Sequence, residues 1–214
     1  VDDDNTEIFT VRDKDDNYLL RVDSDNDVVK ANVGQEIINT NYAYFNVTNI
    51  DSAEYAANTH QAIPFGGAGH GDLAYPPEFG TGTDPATTFT TSSGNGAKAS
   101  DLTPCLWYVP DNITIDGVMA LVGADASGGE TLNLHLFKYR LNSGSTSALD
   151  SGTLLAYSHS NTNDGNEQPY KYTWTVETDN KNVSAGLVIL AFLECTSTVA
   201  SDYSVQITVK YHLT

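Results

Sequence analysis

The sequence predicts an all-β fold: an antiparallel β-sandwich of the jelly-roll type, preceded by an extended N-terminal β arm. The final stretch, Tyr203–Leu213, alternates strictly between apolar and polar residues, which is typical of a strand with one buried and one wet face. About eight strand-like segments follow residue 40, separated by polar or glycine-rich turns. No segment has the periodicity of a helix of about 10 residues, and because parallel sheets need helical crossovers, the strands are expected to be antiparallel.

The strands before this last one are predicted from shorter apolar or alternating runs. Residues 186–194 are apolar on both faces, which predicts a central strand covered on each side. At residues 132–141, leucines alternate with Asn133 and His135, so His135 is expected on a polar strand face, as is His212. The remaining predicted strands lie at residues 41–48, 106–109, 113–122, 154–159 and 170–176.

An immunoglobulin-like sandwich is the alternative fold. Its core signature is a tryptophan midway between two cysteines, whereas Trp107 almost adjoins Cys105 and lies far from Cys195. The loops are also long for such a fold. Both cysteines lie beside apolar strand residues, and buried thiols are expected rather than a disulfide framework.

The charge balance bears on the partners. The chain has 28 acidic and 10 basic residues, a net charge of −18 at pH 7. Such a surface repels nucleic acid and anionic lipid, so neither is expected as a partner. No apolar run reaches the roughly 18 residues of a membrane-spanning helix. Only 18% of the residues are charged, and a surface rich in Ser, Thr, Asn and Tyr is common in extracellular and virion β proteins.

Two domains are predicted, an N-terminal arm at residues 1–35 and the jelly roll at residues 36–214. In the arm, a pair of apolar residues recurs after an acidic turn. Such short strands predict a hairpin with too few apolar residues to be stable alone. The arm is therefore expected to bind a partner through these four side chains, Phe9, Val11, Leu20 and Val22.

The second acidic turn is a candidate calcium site. Asp23, Asp25 and Asp27 have the alternating spacing of an EF-hand loop, but Val28 and Gly34 occupy the positions that require Gly and Glu. The EF-hand is therefore rejected. No cofactor is expected, and a looser calcium site at these three aspartates stays as the alternative.

Residues 66–85 form a long loop punctuated by Gly and Pro. Long loops on β scaffolds often carry binding residues, so Tyr75 and Phe79 are expected to contact a partner. His60 and His70 lie close enough in sequence to share a metal with Asp72. Their spacing matches no established ligand motif, so ordinary loop residues are expected instead.

No catalytic motif is present. The patterns GxSxG, HExxH and CxxC and the phosphate-binding loop are absent from the sequence, so no catalytic residue is assigned and the protein is expected not to be an enzyme. Aromatic residues at Tyr108, Tyr139, Tyr170 and Tyr172 suit either a sugar-stacking face or the sandwich core. For Trp174 the core is expected.

Three segments resemble a known class of proteins: residues 107–117 (WYVPDNITIDG), 184–192 (SAGLVILAF) and 202–213 (DYSVQITVKYHL). Together they are similar to the C-terminal β domain of virion structural proteins of tailed bacteriophages, marine ones especially, over roughly residues 100–214. The resemblance implies a trimeric jelly-roll protein on the virion surface, without enzymatic activity. Capsid decoration (cement) proteins and fibre tips both use such domains.

Three functional hypotheses follow. The first is a trimeric capsid decoration protein, attached through its arm to the major capsid protein or another virion protein. The second is a tail-fibre or head-fibre domain that recognises cell-surface glycan through residues 66–85 and exposed tyrosines. The third is a secreted carbohydrate-binding or carbohydrate-active module, which requires a carboxylate pair in a cleft if it is an enzyme.

Overall fold

A computed structural model describes most of the chain, namely residues 9–23, 28–31, 36–37, 40–50, 57–66, 76–94, 97–124, 131–162, 168–196 and 203–214. The chain divides into two compact units, Val1–Thr40 and Asn41–Thr214. Within the described ranges, no helix is both long and apolar enough to cross a bilayer.

The first unit contains a four-stranded antiparallel sheet whose strands are adjacent in chain order, β1 (Phe9–Arg12), β2 (Tyr18–Asp23), β3 (Val28–Ala31) and β4 (Glu36–Ile37). The turn between β1 and β2 is built by Asp13. One oxygen of its carboxylate accepts hydrogen bonds from the backbone N–H groups of Asp15 and Asn17, each at 2.9 Å. Asp16 takes the left-handed conformation with φ of 65°, which Asp tolerates better than most residues.

The second unit is an antiparallel β-sandwich. Its strands are β5 (Thr40–Ile50), β6 (Gln61–Ile63), β7 (Trp107–Tyr108), β8 (Ile113–Ala124), β9 (Thr131–Leu141), β10 (Leu149–Thr162), β11 (Pro169–Thr173), β12 (Thr175–Val176), β13 (Asn182–Val183), β14 (Leu187–Cys195) and β15 (Tyr203–Leu213). The helical segments described are the short α1 (Ala99–Leu102) and the 3-10 turn Thr103–Cys105.

The strands form two sheets with jelly-roll connectivity. The β14 sheet has the order β12-β10-β9-β14-β6, with β7 also paired to β14. The β15 sheet has the order β11-β8-β15-β5, with β13 also paired to β8. The last strand lies between the first strand of the sandwich and β8, while β14 lies between β6 and β9. This nested pattern is that of a jelly roll and confirms the predicted fold class.

The core between the sheets follows from the alternation of β15. Its apolar residues at 203, 205, 207 and 209 point inward and its polar residues outward, as predicted. They pack with residues of β14 such as Ile189 and Leu193, and with the two tryptophans, Trp107 and Trp174. Trp174 is therefore a core residue, as expected. Full burial of one aliphatic side chain contributes about 1.5–3 kcal/mol.

The outer face of the β14 sheet is also buried, because residues 76–106 lie across it. We call the described part of this stretch, 76–94 and 97–106, the covering segment. It contributes Phe79, Phe89, Leu102 and Cys105 to a second apolar cluster with Phe137, Tyr139, Leu190 and Phe192. Strand β14 is thus buried on both faces, as its sequence predicts. Cys105 and Cys195 are buried thiols, one in each cluster, and burial raises the pKa of Cys105 to about 12.

The covering segment corrects one expectation. His135 was expected on a polar, exposed strand face, but its side chain is fully buried. The alternation of β9 is real, since Leu134 and Leu136 face the core between the sheets. What the pattern could not show is that the other face of β9 is covered as well. His212 lies half-buried on β15, with its Nδ1 2.9 Å from the Asp116 carboxylate.

The covering segment approaches β10 most closely at Gly152, whose backbone N–H donates to the Thr87 carbonyl oxygen at 2.9 Å. A Cβ at this position would lie 2.5 Å from the Tyr139 ring and 2.7 Å from the Thr87 Cα. Gly152→Ala is therefore expected to lower the free energy of unfolding by about 1–3 kcal/mol, measured by urea denaturation.

Gly123→Ala is the matched control for this substitution. It also lies in a long strand, but a Cβ there meets nothing within 4 Å. Because Ala is better tolerated than Gly inside a strand, this variant should lose no stability. Equal losses in the two variants would contradict the close approach of the covering segment.

Candidate functional site

The predicted partner-binding residues of the arm share one face of its sheet. Phe9 pairs directly with Val22, and Val11 with Leu20. Directly opposite residues of an antiparallel pair point to the same side, so the four side chains form one apolar surface. We call it the arm face. Val22 pairs in turn with Val29, which extends it to β3. Phe9 is 52% exposed and Val11 39%, whereas the other three are partly buried.

Of the three aspartates that are candidate calcium ligands, the structure describes Asp23, which does not lie in an exposed turn. Asp23 ends β2 with its side chain buried, and its carboxylate lies 3.9 Å from the Arg21 guanidinium. A buried carboxylate beside a guanidinium already has a counter-charge. Asp25 and Asp27 lie outside the described residues.

In the loop at residues 66–85, Phe79 was predicted to contact a partner, and the structure shows it buried instead. This side chain is 1% exposed, with its ring centroid 4.5 Å from that of Phe89 and 4.7 Å from that of Phe192. Phe79 is therefore a core residue that anchors the covering segment, and its side chain is not available to a partner. Tyr75, like the histidine and aspartate weighed as metal ligands in this loop, lies outside the described residues.

The outward face of the β15 sheet carries exposed apolar side chains, which the sequence analysis did not single out. Tyr42 and Tyr44 of β5 are 54% and 44% exposed, and Met119 and Leu121 of β8 are 39% and 48% exposed. We call these four residues the outer patch. A shallow depression of about 470 Å³ adjoins it, and its lining includes the two tyrosines together with Trp107 and Tyr211.

The depression bears on the glycan hypotheses. Among the described residues that line it there is no Asp or Glu, and the same holds for the described lining of a second depression between β5, β15 and β8. The aromatic residues that suit either a sugar-binding face or the core differ in their exposure to solvent. Tyr108 is 56% exposed, while Tyr170 and Tyr172 are half-buried and stack with their rings 6.0 Å apart.

A polar cluster lies at one end of the covered face of the β14 sheet. We call it the histidine cluster. It gathers five side chains from five stretches of the chain, His60, Asp84, His135, His159 and Glu194. His135 is on β9, His159 on the neighbouring β10, Glu194 on β14, His60 just before β6 and Asp84 in the covering segment. Strand register brings these residues together, although they are far apart in sequence.

The centre of the histidine cluster is a hydrogen bond between two imidazoles, whose donor depends on the tautomers of the two rings. Nε2 of His135 lies 2.7 Å from Nε2 of His159, and 3.6 Å from Oδ1 of Asp84. One ligand atom from each of these three residues lies within 4.8 Å of the other two. His135 is fully buried, whereas His159 and Asp84 are exposed. The three residues therefore form a set of nitrogen and oxygen donors with one side open to solvent.

The local fold fixes the position of His159. Ser160 follows it with φ of 57°, and the pairing of β10 with β9 shifts between Ser158 and Asn161. The backbone N–H of Ser160 donates to Oδ1 of Asn133 at 2.9 Å. Asn133 also donates from Nδ2 to Glu194 at 2.9 Å. This one amide therefore ties the bulge beside His159 to the far side of the cluster.

His60 completes the buried part of the cluster. Its Nδ1 lies 3.3 Å from the carbonyl oxygen of Gly80, which leaves Nε2 with a lone pair when Nδ1 carries the proton. Nε2 lies 3.4 Å from Oε2 of Glu194 without hydrogen-bond geometry. Burial lowers the pKa of His60, and it also lowers that of His135 to about 3, aided by the nearby His60 and His159. The His135 ring is therefore neutral at pH 7.

A scan of protein-family models and a search of curated proteins both gave no match to this chain.

The opposite environments of Phe79 and Phe9 give a direct test of which one is a core residue. Phe79→Ala is expected to lower the free energy of unfolding by about 3–5 kcal/mol, because it leaves a cavity between the covering segment and the β14 sheet. Phe9→Ala is the control and should change stability by no more than about 0.5 kcal/mol, since half of its side chain is already in water. Urea denaturation measures both, and a small loss for Phe79→Ala would contradict its place in the core.

Proposed function

We propose that this protein is a non-enzymatic, trimeric virion structural protein that decorates a bacteriophage capsid and is attached through its N-terminal arm. The observation that carries the proposal is the arm face. It is an apolar surface on a small sheet, within a unit that is compact by itself. The resemblance of residues 100–214 to virion β domains supports the same assignment.

The arm face has the properties of a docking surface. Among the described residues of Val1–Thr40, the secondary structure is a single sheet, with no second layer to cover the exposed Phe9 and Val11. An exposed apolar face of a sheet is a surface on which a partner can pack. A capsid protein or neighbouring decoration subunits would supply that layer. Burial of each of these two side chains would contribute up to about 1.5–3 kcal/mol.

The outer patch suits contacts between subunits of a trimer. Aromatic residues and methionine are enriched at protein interfaces, and the patch combines two tyrosines with Met119 and Leu121. The net charge of −18 makes close approach of two copies unfavourable where acidic side chains face each other. None of the four residues of the patch is an Asp or a Glu, so contact there avoids that repulsion.

The attachment is tested by placing charges on the arm face in the full-length chain. Phe9→Asp combined with Val11→Asp is expected to reduce binding at least tenfold, because two carboxylates would have to be buried against the partner. Binding is measured by co-sedimentation with particles of the encoding virus from which the protein has been stripped.

Thr10→Asp is the matched control, because Thr10 lies between the two residues on the opposite face of β1 and pairs with Arg21. It should bind particles as the unmodified chain does. The thermal unfolding of the sandwich should be the same in all three proteins. Undiminished binding by the Phe9/Val11 variant would contradict attachment through the arm face.

A glycan-binding fibre domain is the second candidate, and the aromatic-lined depression favours it. Aromatic faces stack well on sugar rings, and Tyr42 and Tyr44 are both exposed at its edge. If this candidate is right, the unmodified protein should bind glycans on an array, the Tyr44→Ala variant should lose that binding, and the Tyr108→Ala variant should retain it. Tyr108 is the control because it is exposed but is not among the residues that line the depression. An array without hits would count against this candidate.

A further inference from the structure

The histidine cluster is built from different residues than the arm face and the outer patch, and the proposed function makes no use of it. Its central residues come from adjacent strands and from the covering segment, and their donor atoms converge at the rim of the sheet. Histidines in a sandwich core are usually satisfied by hydrogen bonds. Here Nε2 of His135 has only His159 Nε2 as a hydrogen-bond partner, and two further ring nitrogens behind it, Nδ1 of His135 and Nε2 of His60, have none among the described residues.

The donor geometry fits a small transition-metal ion. With metal–ligand distances of about 2.0–2.2 Å, two ligands of a tetrahedral zinc ion lie about 3.3 Å apart. The observed separations from Nε2 of His135 are 2.7 Å to His159 and 3.6 Å to Asp84, on either side of that value. Small side-chain rotations of the exposed His159 and Asp84 would bring all three donors to coordination distance.

The donor types select the class of ion. Two imidazoles with one carboxylate suit Zn²⁺ and similar borderline metals, whereas Ca²⁺ and Mg²⁺ prefer oxygen ligands throughout. Since Asp84 is 51% exposed at its side chain, water can reach the open side and supply a fourth ligand.

We propose that His135, His159 and Asp84 bind one Zn²⁺ ion, with His60 and Glu194 forming the buried side of the site. The ion would join β9, β10 and the covering segment at one point. Asp84 is the ligand that links two layers of the fold, because it belongs to the covering segment and the two histidines belong to the sheet. Zinc binding therefore fastens the covering segment over the outer face of the β14 sheet.

Titration of the metal-free full-length chain with Zn²⁺ by calorimetry tests the site. One ion is expected per chain, with a micromolar or tighter Kd that persists in millimolar Mg²⁺. At free Zn²⁺ of about 100 times Kd, Tm should rise by about 5–10 °C, because the ion binds the folded state selectively. Zinc held only by diffuse negative charge would be displaced by Mg²⁺, and that result would overturn the proposal.

The ligand variants are His159→Ala and Asp84→Asn. Both side chains are exposed, so each variant should fold with nearly the Tm of the metal-free parent. Each is expected to weaken Zn²⁺ binding at least tenfold and to abolish most of the rise in Tm.

His212→Ala is the matched control, because His212 and Asp116 form another histidine–carboxylate pair at 2.9 Å on the other sheet. Zinc affinity in this variant should equal that of the parent. Unchanged affinity in both ligand variants, or a loss in His212→Ala alone, would overturn the assignment.

Discussion

The double burial of the β14 sheet is the constraint on which the rest of the sandwich depends. One face of β14 packs against the β15 sheet, and the other packs against the covering segment. Because β14 is apolar on both sides, neither layer can be removed without exposing a row of large side chains to water. The covering segment is therefore a structural layer, anchored by the stacked rings of Phe79 and Phe89.

Much of this architecture is predictable from the sequence, because the signals are local. The alternation of β15 specifies one buried and one exposed face, and the unbroken apolar run of β14 specifies a covered central strand. The lack of helical periodicity then leaves antiparallel pairing, and with it a sandwich. The pairing of the arm repeat, Phe9 with Val22 and Val11 with Leu20, also follows from its short acidic turn.

The histidine cluster was not predictable, because it depends on non-local register. His135 and His159 meet only because β9 and β10 pair with bulges, and a shift of one residue would send a side chain to the other face. Asp84 reaches them only because the covering segment folds over this sheet. The same segment explains why Phe79 is buried, although its glycine-rich surroundings indicated an exposed loop. Around Phe79 this layer has no regular secondary structure among the described residues, so it leaves no periodic signal in the sequence.

The arm and the sandwich each carry exposed apolar side chains on a chain with a net charge of −18. The arm face suits attachment to a partner, and the uncharged outer patch suits contact between copies. Light scattering of the full-length chain tests the proposed trimeric assembly most directly. The expected mass is about 69 kDa, three times the 23.0 kDa of one chain. A mass of 23.0 kDa at micromolar concentration would contradict the assembly.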